Sequence, residues 1–184
     1  LRSLLRNDGG APAAPPAPIT ACYHAGLNIS YLRAGEAGPP VVMLHGWGAF
    51  KELWWGTLRD LGRDHRCYAL DVPGHGGSPL GRADTIGALA DAVATFCDAL
   101  GLGAVALIGH SMGGAIAAEL AARRPDLVRR LVLVAAAVDA HLMPRYARIY
   151  LIPAFGWGIL RLNLLLGRQL RPLGARVPHE HGGG

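Results

Sequence analysis

Apolar and polar positions follow a regular rhythm from Ile19 to about residue 137. Segments 21–24 and 28–33 read as two short strands joined by a turn at Ala25-Gly26. Residues 41–44, Val-Val-Met-Leu, form a continuously apolar run with β-branched members, as expected of a strand covered on both faces. Residues 51–61 carry apolar side chains at helical spacing, and 67–70 form another short strand ending at Asp71. Asp84 stands where a helix N-cap belongs. Beyond it Ile86, Leu89, Val93, Phe96 and Leu100 recur at helical intervals and share one face. A strand over 104–108, a helix over 112–124 stopped by Pro125, and a strand over 131–135 follow. Strands alternating with helices predict an α/β fold, a mostly parallel, doubly wound sheet of about six strands.

Both flanks break this rhythm. Residues 8–18 are almost entirely Gly, Ala and Pro, and 1–18 reads as a flexible N-terminal segment ahead of a core at 19–140. The chain starts at Leu1 and not at Met, so a preceding segment is expected to be missing. Residues 143–166 are apolar and aromatic but interrupted by Pro144, Pro153, Gly156 and Gly158. The uncharged run 149–160 is shorter than the ~18–20 residues a membrane span needs. No transmembrane span is therefore expected, and 141–166 is read as the start of a helical cap or lid over an apolar pocket. Residues 167–184, rich in Arg, Pro, Gly and His, read as an irregular tail.

Composition narrows the function classes. With 184 residues, 51% hydrophobic and 17% charged, the chain is one globular domain and not a disordered segment. Its net charge is +5, and Lys51 is the lone lysine among 18 basic residues. No basic stripe with interleaved aromatics is present, so nucleic acid is not an expected partner. Cys22, Cys67 and Cys97 are widely spaced and form no C-x-x-C pair, which argues against a disulfide framework or zinc site. Small buried thiols in a reducing cytoplasm are the simplest reading.

The strongest chemical signal is Gly109-His110-Ser111-Met112-Gly113, a G-x-S-x-G placed between a predicted strand and a predicted helix. That context is the one a nucleophile elbow requires: a sharp turn lifts the serine hydroxyl, and the flanking glycines leave room for the backbone. The helix that follows brings its N-terminal dipole and N–H groups beside a developing negative charge. Ser111 is one of only four serines. His45-Gly46-Trp47-Gly48 follows the strand at 41–44 and can present a backbone N–H to an oxyanion. The expected donors are the backbone N–H groups of Trp47 and Met112, with His45 a structural, hydrogen-bonded histidine. The loop Asp71-Val72-Pro73-Gly74-His75-Gly76-Gly77-Ser78 has no Gly-Lys-Ser/Thr ending, so it is a structural loop and not a phosphate cradle. Gly101-Leu102-Gly103-Ala104-Val105-Ala106 fits a loose dinucleotide pattern, yet it precedes a strand where that fingerprint must follow one.

Together and in this order, H-G-W-G, D-V-P-G-H-G-G-S and G-H-S-M-G-G resemble the α/β-hydrolase superfamily, its branch of small serine esterases in particular. The resemblance covers roughly residues 19–137. It implies Ser111 as nucleophile, the N–H groups of Trp47 and Met112 as oxyanion donors, and a cap inserted after the sixth strand. It implies no metal and no cofactor. Serine at 111 in place of aspartate points away from the dehalogenase and epoxide-hydrolase branches.

A serine nucleophile needs a general base and an acid to orient it, which in this fold follow the serine along the chain. Downstream acids are Glu119, Asp126, Asp139 and Glu180, and downstream histidines are His141, His179 and His181. Asp139, after the sixth strand, is a weak candidate for the acid; no histidine stands out as the base. The resulting expectation is a chain lacking the C-terminal part of its fold. Two function classes stay open: a serine hydrolase of small apolar ester or acyl substrates, and a catalytically incompetent fragment or binding protein on the same fold. A sheet ending at its sixth strand is also expected to leave 131–134 as an apolar, association-prone edge.

Overall fold

The computed structural model describes residues 16–81 and 83–138. β1 (Ile19–His24) and β2 (Ile29–Ala34) form an antiparallel hairpin, and β3 (Pro40–Leu44) begins the parallel part of the sheet. A short 3₁₀ turn at Lys51–Trp54 leads into α1 (Trp55–Leu61), followed by β4 (Arg66–Leu70). α2 (Ile86–Ala99), β5 (Val105–His110), α3 (Met112–Arg123) and β6 (Val128–Val134) complete the described elements. The six strands lie in one sheet ordered β1-β2-β4-β3-β5-β6, with β4, β3, β5 and β6 mutually parallel and β2 antiparallel to β4. The α/β architecture expected from the sequence is the one observed.

Strand alternation sorts the core into two layers. Val42, Leu44, Tyr68, Leu70, Val105 and Leu107 face α2 and α3, where they meet Val93, Phe96, Ile116 and Leu120. Their neighbours Val41, Met43, Cys67 and Ala69 point the other way, onto Trp54 and Leu58 around α1. All five residues of β3 are buried, which is why its sequence is an unbroken apolar run. Phe96 packs edge-on against Tyr31 at 5.0 Å between ring centroids.

Three boundaries differ from the sequence reading. Thr85, not Asp84, caps α2, its Oγ1 accepting from the Ala88 N–H at 3.1 Å. The helix expected over 51–61 divides into the 3₁₀ turn and α1. β6 starts at Val128 and not at residue 131, because Arg129 and Arg130 belong to the strand with exposed side chains. The expected flexible segment 1–18 falls mostly, and the cap and tail wholly, outside the described residues, as do Asp139, His141, His179, Glu180 and His181.

Strand order also fixes where a site can form. Leaving β3, the chain pairs it with β4 on one side and later with β5 on the other. The order therefore reverses at β3, and a crevice outside the carboxyl ends of β3 and β5 is the place such sheets hold ligands. Register aligns those ends: Leu44 lies opposite Leu70 in β4 and opposite Gly109 in β5. His45, Asp71 and His110 consequently leave the sheet at one level.

Candidate active site

Ser111 occupies the turn between β5 and α3 with φ 53° and ψ −117°, a region that non-glycine residues enter only when the surroundings enforce it. Neighbouring backbone does enforce it. The Ser111 N–H donates to the Val134 carbonyl at 3.0 Å, and the Ser111 carbonyl accepts from Gly114 at 2.9 Å and from Ala137 at 3.0 Å. Side chains are absent wherever the turn is tightest. A Cβ on Gly109 would land on the backbone of Gly113, and one on Gly113 would land on the carbonyl oxygens of Leu44 and His45. Ser111 is the N-cap residue of α3, yet its side chain makes no cap hydrogen bond, unlike that of Thr85. Its hydroxyl is not consumed by the helix, and Met112 opens the first turn, where N–H groups lack intrahelical partners.

The loop after β3 comes against this turn. A Cβ on Gly46 would sit 3.0 Å from the Ser111 Cβ and 3.0 Å from the His110 Nδ1. The H-G-W-G and G-H-S-M-G segments are thus brought together, and the absence of a Gly46 side chain permits the approach. Trp47 follows Gly46 directly.

His45 is fully buried and both ring nitrogens are committed. Nε2 accepts from the Val72 N–H at 3.1 Å, so the ring proton resides on Nδ1, which donates to the Gly46 carbonyl at 2.7 Å. Burial lowers its pKa to about 4. A neutral ring with both nitrogens occupied does not serve as a general base, in agreement with the structural role expected for it. The buried ring of His75 lies 5.2 Å from that of His45, and burial lowers its pKa too. Among the described residues, no histidine hydrogen-bonds a carboxylate or the Ser111 hydroxyl.

Sequence reasoning missed one part of this region. Asp71 is completely buried, and its carboxylate accepts from the Lys51 N–H at 2.8 Å, the Lys51 Nζ at 2.6 Å and the Gly77 N–H at 2.8 Å. Gly76, at φ 54°, wraps this carboxylate so closely that a Cβ would fall on it. Glycine at 76 is therefore what lets the loop enclose the ion pair.

A groove of about 350 Å³ is lined by Ile86, Ala115, Ala118, Glu119, Ala137 and Val138, and Ser111 is not among its lining residues. Among the described residues, no helix is long and apolar enough to cross a membrane.

A six-stranded, mostly parallel sheet with a strained serine at the turn after β5 defines an α/β-hydrolase architecture. Residues 39–162 match the family model described as alpha/beta hydrolase fold, and the chain belongs to that family. It is 38% identical over 98 residues to the pimeloyl-[acyl-carrier protein] methyl ester esterase of Nitrosomonas europaea, covering 53% of this chain and 37% of that protein. It is 34% identical over 141 residues to human epoxide hydrolase 4, covering 72% of this chain and 39% of the other. Among solved structures, a bacterial membrane phospholipase A aligns with a TM-score of 0.60 and 36% identity, over 66% of this chain and 40% of that one. The chain spans roughly two fifths of the length of these relatives. These three are by name an esterase, an epoxide hydrolase and a phospholipase.

Proposed function

We propose that the protein is a serine hydrolase of small apolar ester or acyl substrates, with Ser111 as nucleophile and the backbone N–H groups of Trp47 and Met112 as oxyanion donors. The carrying observation is the Ser111 turn itself: a strained backbone at φ 53°, a hydroxyl not spent on capping, and Gly46 packed against its Cβ. Strain of ~1–3 kcal/mol at one residue persists where the fold over-determines it, and such residues cluster at active sites.

In this reading the Ser111 Oγ attacks the substrate carbonyl carbon, and the oxyanion that forms lies between the Trp47 and Met112 N–H groups. Collapse expels the alcohol and leaves an acyl group on Ser111, which water then removes. The N-terminal dipole of the 12-residue helix α3 favours the negative charge in both steps. The base that takes the Ser111 proton and returns it to the departing alcohol is unassigned, and Asp139 is a weak candidate for the acid. A cytoplasmic location and the cap at 141–166 belong to the same proposal.

The relatives support this reading unequally. The esterase acts on a methyl ester by name, and the phospholipase on phospholipid. Human epoxide hydrolase 4 represents the other branch, from which Ser111 in place of aspartate separates this chain. One observation favours a second reading, a binding protein or incomplete catalyst. Both nitrogens of His45 are engaged, and no described histidine stands as base to Ser111.

A fluorophosphonate probe, applied to the chain and to Ser111→Ala, decides between them. Labelling that disappears in the variant is the result expected of a hydrolase. An unlabelled but folded chain overturns catalytic competence and leaves the second reading.

A further inference from the structure

We infer that Lys51 is a positioning residue, one jaw of a two-point clamp in which the adjacent residues Asp71 and Val72 hold both ends of the 45–51 loop. The inference rests on the assignment of Trp47 as an oxyanion donor and goes on to say what sets its direction.

At the near end, the Val72 N–H holds His45 by Nε2, and the His45 Nδ1–H reaches the Gly46 carbonyl. That carbonyl also accepts from the Ala49 N–H at 3.2 Å. The Gly46 carbonyl and the Trp47 N–H are opposite edges of one planar peptide, so anchoring the oxygen from two sides fixes the direction of the N–H. At the far end, Lys51 grips the Asp71 carboxylate twice, through its backbone N–H and its Nζ. Asp71 is in turn held by Gly77 and by its own N–H, which donates to the Ser30 carbonyl at 2.8 Å in β2. The clamp is therefore referenced to the sheet and not to another loop.

The chemistry of the pair fits positioning better than stabilisation. A buried ion pair gains little net stability over an apolar pair of the same shape, because both charges lose water. What it does supply is a short, directional contact between elements 20 residues apart in sequence. Lysine suits the place: a compact ammonium meets one carboxylate oxygen, where the planar fork of arginine requires more room. In a chain whose other basic residues are all arginine, lysine stands at this position alone. The Nζ also lies 3.3 Å from the exposed Glu52 carboxylate, which leaves Asp71 as its close, buried partner.

The test follows the Trp47 amide and the catalytic constants separately in wild type, Lys51→Met and Lys51→Arg. By ¹H–¹⁵N NMR, Lys51→Met is expected to speed hydrogen exchange at Trp47 at least about tenfold more than at the Leu107 amide in β5, which reports global opening. On a short-chain p-nitrophenyl ester, kcat is expected to fall about tenfold with KM within about twofold. This is less than the ~10²–10³ lost when an oxyanion donor is removed outright. Lys51→Arg is expected to recover part of both effects. If Lys51→Met fails to fold, the double variant Lys51→Met/Asp71→Asn removes both charges and is scored in the same way. Unchanged exchange at Trp47 with unchanged kcat, whatever the loss in Tm, overturns the clamp and leaves a merely structural ion pair. If the wild type neither labels nor hydrolyses, the hydrolase reading falls, and Trp47 exchange still decides whether Lys51 positions the loop.

Discussion

The backbone N–H of Ser111 donates to the carbonyl of Val134 at 3.0 Å, so the strained turn hangs from the last residue of β6. The return contact, Ala137 N–H to the Ser111 carbonyl, runs through the segment just beyond that strand. Elbow and strand end form one hydrogen-bonded unit.

Gly114 sits inside this unit, where a Cβ would strike the side chain of Ala136 and lie 2.9 Å from its Cα. Alanine normally gains about 1 kcal/mol over glycine in a helix interior. In Gly114→Ala that gain is outweighed by overpacking of roughly 1–3 kcal/mol. Urea denaturation is expected to show a net loss of stability. A stabilised variant would mean that the 134–137 backbone yields without cost.

Acid is expected to destabilise the fold in a window set by His45. Its ring titrates at about 4 when folded and near 6.5 when unfolded, so both states are neutral above pH 6.5. As pH falls from 6.5 towards 4 the unfolded chain takes up the proton first, and stability drops by about 3 kcal/mol. Burial of His75 acts in the same direction. Replacing His45 with Asn removes this contribution, so the stability gap between wild type and variant should narrow between pH 7.5 and pH 5. A gap constant with pH would show that His45 is not held neutral.

The three thiols should separate by reactivity. Burial pushes Cys67 and Cys97 up to about 12, whereas Cys22 on β1 is half-buried. Maleimide at neutral pH is expected to modify Cys22 in the native chain and the other two only after denaturant is added. Equal labelling of all three would contradict the two-layer core around β4 and α2.

Phe96→Ala removes a fully buried ring that meets Tyr31 edge-on and lies 6.3 Å from Tyr68. The expected cost is about 3–5 kcal/mol in chemical denaturation. That is a large fraction of the 5–15 kcal/mol holding a typical domain together.

How much could be read in advance varied with the range of the interaction. The apolar run of β3 and the helical face of α2 were plain because burial imposes a local period on the sequence. The three motif loops were plain because tight backbone demands glycine at fixed places, as at Gly109 and Gly113. The start of β6 was obscured because Arg129 and Arg130 keep strand backbone while their side chains remain exposed. The cap of α2 shifted by one residue because Asp84 and Thr85 both suit the role and only backbone geometry chooses between them. The Lys51–Asp71 pair was not legible: its partners lie 20 positions apart, and no local pattern marks a contact that the sheet register creates.

Among the described residues β6 pairs only with β5, and Leu131, Val132, Leu133 and Val134 are each 39–46% exposed. The strand from which the strained turn hangs is therefore the least enclosed of the described strands. The stability of the sheet edge and the geometry of Ser111 share a single seam. A substitution in β6 that loosens its seating would register as a displaced Ser111, although no atom of that residue had been altered. Conversely, whatever comes to lie along that outer edge would tighten the turn from a distance, giving the rim of the sheet a say in how the serine is presented.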